Sequence, residues 1–265
     1  MLRRLDFGNE TMPETTEPQT LPREGGATIA YHRLEGERPG VVFLGGFGSD
    51  MTGTKAVALE AFCKARGRAY VRFDYQGHGQ SSGNFADGTI GIWAADALAV
   101  FDACTEGPQV LVGSSMGGWI MLLVALARKE RIAGLLGIAP ALDFTENLIW
   151  EKLSEAQHAA LSQDGFFEVA GEYDEAPTRI TQRLIEEARE HLLLRGEIPL
   201  RCPVRLLHGM ADEDVPWETS LRLLHRLQSE DVAATFIKHG DHRLSGENDI
   251  RRLERTLEEL LDSLA

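Results

Sequence analysis

The sequence predicts an α/β fold, in which a mostly parallel, doubly wound sheet is covered by helices on both faces. Short and solidly apolar runs alternate with longer helix-like stretches along most of the 265 residues. Strands that are apolar throughout are typical of a sheet buried on both faces, and intervening helices are typical of parallel pairing. In such sheets, binding sites form at the carboxyl ends of the strands.

The individual elements follow from these runs. An alternating edge strand is expected at residues 28–32, and core strands are expected at residues 41–44, 69–73, 110–112, 134–139, 204–207 and 233–237. Helices are expected at residues 54–65, 90–104, 118–129, 218–228 and 247–264. Residues 1–25 are rich in Thr, Pro, Glu and Gly and lack periodicity, so we expect a flexible tail before a domain at residues 26–265.

Ser115 is the candidate nucleophile. It lies in Gly113-Ser114-Ser115-Met116-Gly117, directly after the apolar run at residues 110–112 and before a helix-like stretch. A serine on a sharp turn from strand to helix exposes its hydroxyl, and the crowded backbone of that turn accepts only small neighbours.

Asp212 and His242 are the candidate acid and base. Each follows a predicted strand, so both are expected at the same sheet edge as Ser115. The chain order of serine, acid and histidine is the order found in α/β-hydrolases.

Neighbouring residues leave alternatives for these two roles. Glu213 or Asp214 is an alternative acid, although the spacing His-Gly-x-x-Asp favours Asp212. His239 is an alternative base, although the tripeptide Gly-Asp-His favours His242. His208 is interpreted as a structural residue at the end of its strand.

A glycine-rich turn is the expected oxyanion-binding element. The apolar run at residues 41–44 leads into Gly45-Gly46-Phe47-Gly48, where glycines let the backbone approach a substrate closely. We expect the backbone amides of Phe47 and Met116 to be the two donors. One donor of this kind typically contributes about 3 kcal/mol to transition-state stabilisation.

Several separated motifs resemble the α/β-hydrolase superfamily. They are Phe43-Leu44-Gly45-Gly46-Phe47, the segment from Phe73 to Ser81, the segment from Gly113 to Trp119, and His208-Gly209-Met210-Ala211-Asp212. Trp119 and the segments at residues 189–194 and 202–209 resemble the group of palmitoyl-protein thioesterases and acyl-glucuronide esterases. The resemblance covers about residue 26 to the end and implies a serine hydrolase. We expect it to require neither a metal nor an organic cofactor.

The interval between Pro140 and Cys202 has no buried-strand pattern. Short helical patterns occupy residues 145–153 and 181–194, and Ser154 to Gln157 predicts a capping box. An insertion at about residues 141–200, here named the cap segment, resembles the cap of α/β-hydrolases. Taken singly, its apolar residues fit packing against the main domain, whereas together they indicate an apolar approach to Ser115. The residues expected to line a substrate pocket are Trp119, Phe144, Leu148, Trp150, Phe166, Phe167 and Tyr173.

A second glycine-rich loop covers residues 74–83. It lacks the spacings Gly-x-Gly-x-x-Gly and Gly-Lys-Ser/Thr, which excludes nucleotide binding as its role. In the hydrolases that the chain resembles, this loop braces the sheet beside the oxyanion turn. Asp74 and Ser81 are therefore expected to be structural, and His78 is expected to border the entrance.

Composition excludes several other roles. The net charge of −14 opposes binding to nucleic acid or to anionic lipid surfaces. The longest uncharged apolar stretch, residues 117–127, is shorter than the about 20 residues that cross a bilayer. The three cysteines are widely spaced and show no metal-ligand pattern.

The first residues are not expected to form a targeting signal. No hydrophobic run follows Arg3 and Arg4, and Glu10, Glu14 and Glu17 are atypical of a mitochondrial transit peptide. From these features, together with the cysteines, we expect a cytoplasmic protein.

The predicted function is hydrolysis of carboxylic esters or S-acyl thioesters through an acyl-enzyme. The expected substrates are small acyl esters or thioesters, or acylated proteins. A cap-bearing aminopeptidase is the enzymatic alternative, because Glu146, Asp174 and Glu175 offer carboxylates for a substrate amine. A catalytically silent binding protein is the third reading, which the complete Ser-Asp-His set disfavours.

Overall fold

A computed structural model describes residues 17–169 and 177–264 of the chain. Within them the strands are β1 (Gln19–Pro22), β2 (Thr28–Leu34), β3 (Glu37–Leu44), β4 (Arg68–Phe73), β5 (Gln109–Ser114), β6 (Ile132–Ile138), β7 (Phe166–Val169), β8 (Thr178–Thr181), β9 (Val204–Gly209) and β10 (Val232–Ile237). The α-helices are α1 (Thr54–Ala65), α2 (Ile90–Cys104), α3 (Met116–Ala127), α4 (Glu155–Asp164), α5 (Gln182–Ala188), α6 (Glu218–Arg226) and α7 (Glu247–Asp262). Single helical turns lie at Glu24–Gly26, Phe85–Asp87, Lys129–Arg131, Thr145–Ile149, Trp150–Lys152 and Arg189–His191.

The described strands form a large sheet and a small one. The large sheet has the order β1-β2-β4-β3-β5-β6-β9-β10. Strands β1 and β2 are antiparallel to their neighbours, and every pair from β4 to β10 is parallel. The prediction of a mostly parallel, doubly wound sheet is confirmed. Parallel pairing brings the carboxyl ends of β3, β5, β9 and β10 to one edge of the large sheet, and the candidate residues directly follow these ends.

Helices cover both faces of the large sheet. Along β3, Val42 and Leu44 face the apolar cluster that includes residues of α2, α3 and α6. Val41 and Phe43 face the opposite cluster, which includes residues of α1 and α7. Because successive strand residues point to opposite faces, a strand buried on both sides must be apolar at every position. The solid apolar runs in the sequence have this cause.

The amino-terminal boundary differs from the prediction. Gln19–Pro22 lie within the segment assigned to the tail, yet they form the edge strand β1 and pair with β2 through contacts such as Leu21 with Ile29. A strand of four residues with mostly exposed side chains has too little apolar pattern to be recognised from sequence. Residues 1–16 of the predicted tail lie outside the described residues.

The cap segment contains strands that the sequence analysis missed. Strands β7 and β8 form an antiparallel pair in which buried Phe167 lies opposite buried Ile180. These strands have four residues each, too few for a periodicity to separate them from a helix turn. The capping box is confirmed, because Ser154 Oγ accepts from the amide of Gln157 at 3.3 Å and the Gln157 side chain accepts from the amide of Ser154 at 2.9 Å. Tyr173, Asp174 and Glu175 lie outside the described residues.

Polar contacts join the two ends of the cap segment and attach it to helix α2. The Asp143 carboxylate accepts from the amides of Leu193 and Leu194, both at 2.9 Å, which joins the two ends of the segment. The Glu187 carboxylate accepts from the amide of Gly91 at 3.0 Å, at the first turn of α2. A carboxylate at a helix amino terminus is stabilised by the unpaired amides and the helix dipole.

No helix in the described parts of the chain has both the length and the apolar character needed to cross a membrane.

Candidate active site

Ser115 lies on a strained turn between β5 and α3. Its backbone has φ 53° and ψ −122°, a conformation that residues other than glycine rarely adopt. Its amide donates to the carbonyl of Ile138 at 2.9 Å, and its carbonyl accepts from Gly118 and Ala141. These bonds hold the turn from both neighbouring segments, so the strained conformation is fixed by its surroundings.

The flanking glycines are required by close backbone contacts. A Cβ at Gly117 would lie 2.1 Å from the carbonyl oxygen of Leu44 at the end of β3. A Cβ at Gly113 would lie 2.4 Å from the carbonyl oxygen of Gly117. Larger residues would push the turn away from β3, and the two small residues of the motif therefore have a packing reason.

Hydrogen bonds link the three candidate triad side chains in series. Ser115 Oγ lies 3.0 Å from Nε2 of His242, and Nδ1 of His242 lies 2.8 Å from Oδ2 of Asp212. The carboxylate next to Nδ1 assigns the imidazole proton to that nitrogen, which leaves Nε2 free to accept the serine proton. The structure thus brings together the three residues selected from the sequence, in the geometry of a nucleophile, a base and an orienting acid.

Asp212 is held as a carboxylate in a closed environment. Its side chain is fully buried, and burial alone would raise its pKa. Hydrogen bonds from His208 and His242 and from the amide of Val215 outweigh burial and hold the pKa of Asp212 below its ordinary value. An ionised Asp212 stabilises the imidazolium that forms on His242 when Ser115 gives up its proton.

The alternative residues occupy other places. His239 and Glu213 are exposed, and the imidazole of His242 is bonded to Asp212. Asp214 lines the pocket, and its backbone amide donates to Oδ1 of Asp212 at 3.0 Å. The loop at residues 210–217, here named the acid loop, folds back on Asp212 in this way, which explains why the first acidic residue of the loop faces the histidine.

The expected oxyanion donors lie on either side of Ser115. Phe47 and Met116 both line the pocket that contains Ser115 and His242. Among the hydrogen bonds of the described residues, neither backbone amide donates to a protein acceptor. A Cβ at Gly46 would lie 3.3 Å from Cβ of Ser115, so the turn before Phe47 packs directly against the nucleophile. Two unused amides next to Ser115 fit a site for a developing oxyanion.

The loop at residues 74–83 supports this turn. Nε2 of His78 accepts from the amide of Gly48 at 3.2 Å, and Oδ1 of Asp74 accepts from the amide of Met51 at 2.6 Å. Burial lowers the pKa of His78, which favours the neutral form that can accept this bond. His78 is buried among Tyr75, Phe85 and Trp93, so it lies beneath the oxyanion turn and does not border the entrance.

An apolar cavity of about 370 Å³ adjoins Ser115. Its apolar lining comes mainly from the cap segment and includes Phe144, Leu148, Ile149, Leu153, Phe167 and Ile180. Its polar lining consists of Ser115, His242, Lys152, Gln157 and Asp214. The cavity therefore offers space for an apolar group next to the candidate nucleophile, and few of its lining residues are charged.

Of the residues expected to line a substrate pocket, Phe144, Leu148 and Phe167 line this cavity, whereas Trp119, Trp150 and Phe166 do not belong to its lining. Trp119 is fully buried, where its Nε1 donates to the carbonyl of His191 at 3.0 Å. Trp150 is half-buried against the apolar cluster that includes Leu161, and the guanidinium of Arg189 lies 4.6 Å from the centre of the Trp150 ring. Phe166 precedes Phe167 on β7, and alternation along the strand sends only Phe167 into the cavity.

Asp212, Asp214 and His242 are also a group with metal-ligand spacing in the part of the chain that the structure describes, because their ligand atoms lie within 4.8 Å of one another. Both oxygens of Asp212 already accept hydrogen bonds, from two backbone amides and from two histidines. The Asp212 oxygens are therefore already engaged in hydrogen bonds within the candidate triad and its loop. That the enzyme requires no metal stays a prediction.

Comparison with known proteins places the chain in a family. Residues 37–169 match the family model Hydrolase_4, described as serine aminopeptidase, S33. The mitochondrial palmitoyl-protein thioesterase ABHD10 of Homo sapiens is 41% identical over 253 residues, covering 95% of this chain and 82% of that protein. The Mus musculus protein of the same name is 45% identical over 238 residues, covering 89% of this chain and 80% of that protein. The solved structure of mouse α/β-hydrolase domain-containing protein 10 has a TM-score of 0.87 at 44% identity and covers 94% of this chain and 100% of its own.

The prediction of a cytoplasmic location is wrong. Relatives that match most of the chain are named as mitochondrial proteins, which conflicts with it. The prediction depended on acidic residues and on a missing hydrophobic run near the amino terminus. Those features test only for particular targeting segments and contain no information on the compartment in which the folded enzyme works.

Proposed function

This chain belongs to the α/β-hydrolase family, and on that premise we propose that it is a serine hydrolase that cleaves acyl thioesters and esters through Ser115, His242 and Asp212. The observation that carries the proposal is the pair of bonds of 3.0 Å and 2.8 Å that connect Ser115 to His242 and His242 to Asp212. They lie at the wall of an apolar cavity large enough for part of an acyl chain. Both features are needed for acyl transfer from an apolar substrate.

The first half of the reaction acylates the enzyme. Ser115 Oγ attacks the acyl carbon while Nε2 of His242 takes its proton, and the negative charge moves to the carbonyl oxygen. The amides of Phe47 and Met116 stabilise this oxyanion. When the tetrahedral intermediate collapses, the bond to sulfur or oxygen breaks, and the leaving thiol or alcohol receives the proton from His242.

The second half releases the acid. A water molecule gives a proton to His242 and attacks the acyl-enzyme, and the second tetrahedral intermediate breaks its bond to Ser115 Oγ. His242 returns its proton to that oxygen, which restores the free enzyme. Asp212 remains ionised throughout and stabilises the imidazolium in both halves.

The cap segment is proposed to bind the acyl group. Leu148, Phe167 and Ile180 come from different elements of residues 141–200 and meet over Ser115. Burying methylene groups among such side chains stabilises a complex by about 0.8 kcal/mol for each group. We therefore expect acyl chains of medium or long length as substrates, carried by a small thiol or alcohol or by a protein.

The contacts of Glu146 do not favour the aminopeptidase alternative. Its carboxylate pairs with Arg189 at 2.9 Å and with Arg195 at 3.7 Å, and it does not line the cavity. A carboxylate held by two guanidinium groups is not available for a substrate amine. Amides also require protonation of a poor leaving group, whereas a thiolate departs readily.

The test compares one acyl group presented as a thioester, an ester and an anilide to the same preparation. We expect kcat/KM to be high for the thioester and for an activated ester and low for the anilide, with all activity lost in Ser115→Ala. An anilide cleaved as fast as the thioester, with both activities dependent on Ser115, would favour the peptidase. Thioester cleavage that survives Ser115→Ala would overturn the proposed nucleophile.

A further inference from the structure

We propose that His208 is a positioning residue for the reaction, because its Nε2–H group holds the Asp212 carboxylate in place and weakens the pull of that carboxylate on His242. The effect of this contact on the reaction rate depends on the proposed function. Its structural basis is a second histidine bonded to the oxygen of Asp212 that accepts from His242.

The partners of His208 assign its proton. Nε2 faces two acceptors, Oδ2 of Asp212 at 3.2 Å and the carbonyl of Val215 at 3.1 Å. Nδ1 lies 2.7 Å from the hydroxyl of Ser220, which carries an O–H donor. The two acceptors at Nε2 therefore assign the hydrogen to that nitrogen, and the Ser220 hydroxyl is assigned as the donor to Nδ1.

The position of His208 is well defined. Its side chain is fully buried, and it lies on β9, beside Phe236 of β10. Ser220 comes from α6 and is also fully buried. A rigid imidazole between a helix and a loop can set the rotamer of Asp212 with little freedom, which a contact at the surface would not do.

The two histidines share one acceptor oxygen. Oδ2 of Asp212 accepts from His242 at 2.8 Å and from His208 at 3.2 Å, whereas Oδ1 accepts from the amides of Asp214 and Val215. Every donor to the carboxylate spreads its negative charge and makes it a weaker acceptor for the others. Without His208, the Asp212 carboxylate would be the stronger acceptor for Nδ1–H of His242 and would stabilise the imidazolium that forms during the reaction more strongly.

Several charged groups lie on the elements around the pair. They include Asp214 on the loop of Asp212, Asp241 and Arg243 on either side of His242, and Lys55 on α1. Lys55 donates to the carbonyl of Arg243 and to Ser245, so it supports the loop that follows His242. Helix α6 contributes the uncharged Ser220, and β10 contributes Phe236. The variants described next leave all four charged groups in place.

The experiment measures the pH dependence of kcat/KM for a thioester substrate. His208→Leu removes the donor, and we expect the acid limb to move upward by about half a unit to one unit, with a lower plateau. Ser220→Ala should move the limb in the same direction by less, because the hydroxyl only polarises the imidazole. His208→Gln retains a side-chain N–H and should restore the limb toward that of the unmodified protein.

The matched control is Thr219→Val on the same helix. Thr219 is buried and does not belong to the lining of the cavity. Loss of one buried hydroxyl in α6 should therefore leave the acid limb unchanged. Circular dichroism and unfolding curves identify which variants fold, and Ser220→Ala provides the test if His208→Leu does not fold.

A second readout does not require turnover. We expect the proton on Nδ1 of His242 to give a low-field ¹H resonance whose position follows the strength of its hydrogen bond to Asp212. We expect this resonance to move further downfield in His208→Leu and by less in Ser220→Ala. An unchanged resonance and an unchanged acid limb in folded variants would overturn the role of His208. A shifted resonance in a protein without hydrolase activity would support the contact and contradict the proposed function instead.

Discussion

Nε1 of Trp119 donates to the carbonyl oxygen of His191 at 3.0 Å, which joins the helix that begins at the nucleophile to the far end of the cap segment. Trp119 also packs edge to face against Phe144, with ring centres 5.8 Å apart. Phe144 in turn lines the cavity. The tryptophan therefore fixes the position of a cavity wall without being part of it.

This contact predicts a stability effect for Trp119→Phe. The variant keeps an aromatic ring but leaves the carbonyl of His191 without its donor, which typically costs about 1–3 kcal/mol. We expect a lower free energy of unfolding and faster amide exchange at Leu193 and Leu194. Tyr70→Phe is the matched control, because it removes a buried bond to the carbonyl of Ala56 on the opposite face of the sheet. Equal exchange rates in both variants would contradict an anchoring role for Trp119.

The series of bonds from Ser115 to Asp212 predicts non-additive losses. Ser115→Ala and His242→Ala should each lower kcat by roughly 10⁴ to 10⁶, and the double variant should lose no more than the worse single variant. Once either partner is absent, the other has no proton to give or take. Steady-state kinetics with one thioester suffice. Multiplied losses in the double variant would show that the two residues act independently.

The two acids of the loop should differ in effect. Asp212→Asn removes the charge that stabilises imidazolium and should lower kcat on the order of 10³ to 10⁴. Asp214→Asn keeps the backbone amide that binds Asp212 and should have a small effect. The pair is internally controlled, because both substitutions remove one carboxylate from the same loop. The reverse order in measured kcat would assign the orienting acid to Asp214.

The burial of His78 predicts that the stability of the fold depends on pH. Burial lowers its pKa in the folded state below the ordinary value of 6.5, so the unfolded chain binds the proton more readily. The stability that neutral His78 contributes is fully present above about pH 6.5 and is lost as pH falls through the folded-state pKa. We expect unfolding midpoints in urea to fall less steeply with acid in His78→Phe than in the unmodified protein.

The same variant should also change catalysis. Without Nε2 of His78 the amide of Gly48 has no acceptor, and the turn that presents Phe47 is less well fixed. We expect kcat to fall more than KM changes, since the oxyanion forms only during the reaction. Replacement of the exposed His225 by Gln is the control for both measurements. A loss confined to KM would contradict support of the oxyanion turn.

The cavity predicts a dependence on acyl-chain length. Leu148→Trp fills space beside Ser115 and should lower kcat/KM roughly tenfold or more for long acyl thioesters, while short ones are affected less. Val57→Trp adds the same side chain to an exposed position on α1 and should leave kcat/KM unchanged for both long and short acyl thioesters. A series of thioesters that differ only in acyl length provides the measurement. A uniform loss at all lengths would indicate that the acyl chain binds elsewhere.

Much of the fold could be predicted because its signals are local. The run at residues 41–44 is apolar at every position, since β3 contacts helices on both faces. The turn at Ser115 requires glycines within the same pentapeptide, since a Cβ at Gly117 would meet the carbonyl of Leu44. Strand β1 and the pair β7 and β8 were missed because four residues give too short a pattern.

The fold class, the family and the candidate residues Ser115, Asp212 and His242 could be predicted before the structure was known, because each depends on residue types at fixed places after a strand. Which apolar residues line the cavity depends on how the elements pack together and could not be predicted. Trp119 and Phe144 are both apolar aromatic residues, yet Trp119 holds the cap segment and Phe144 lines the cavity. The same hydrophobic effect drives both kinds of burial, so the residue type does not separate them. The role of His208 likewise depends on Ser220 and Val215, which come near it only when α6 and the acid loop pack against β9.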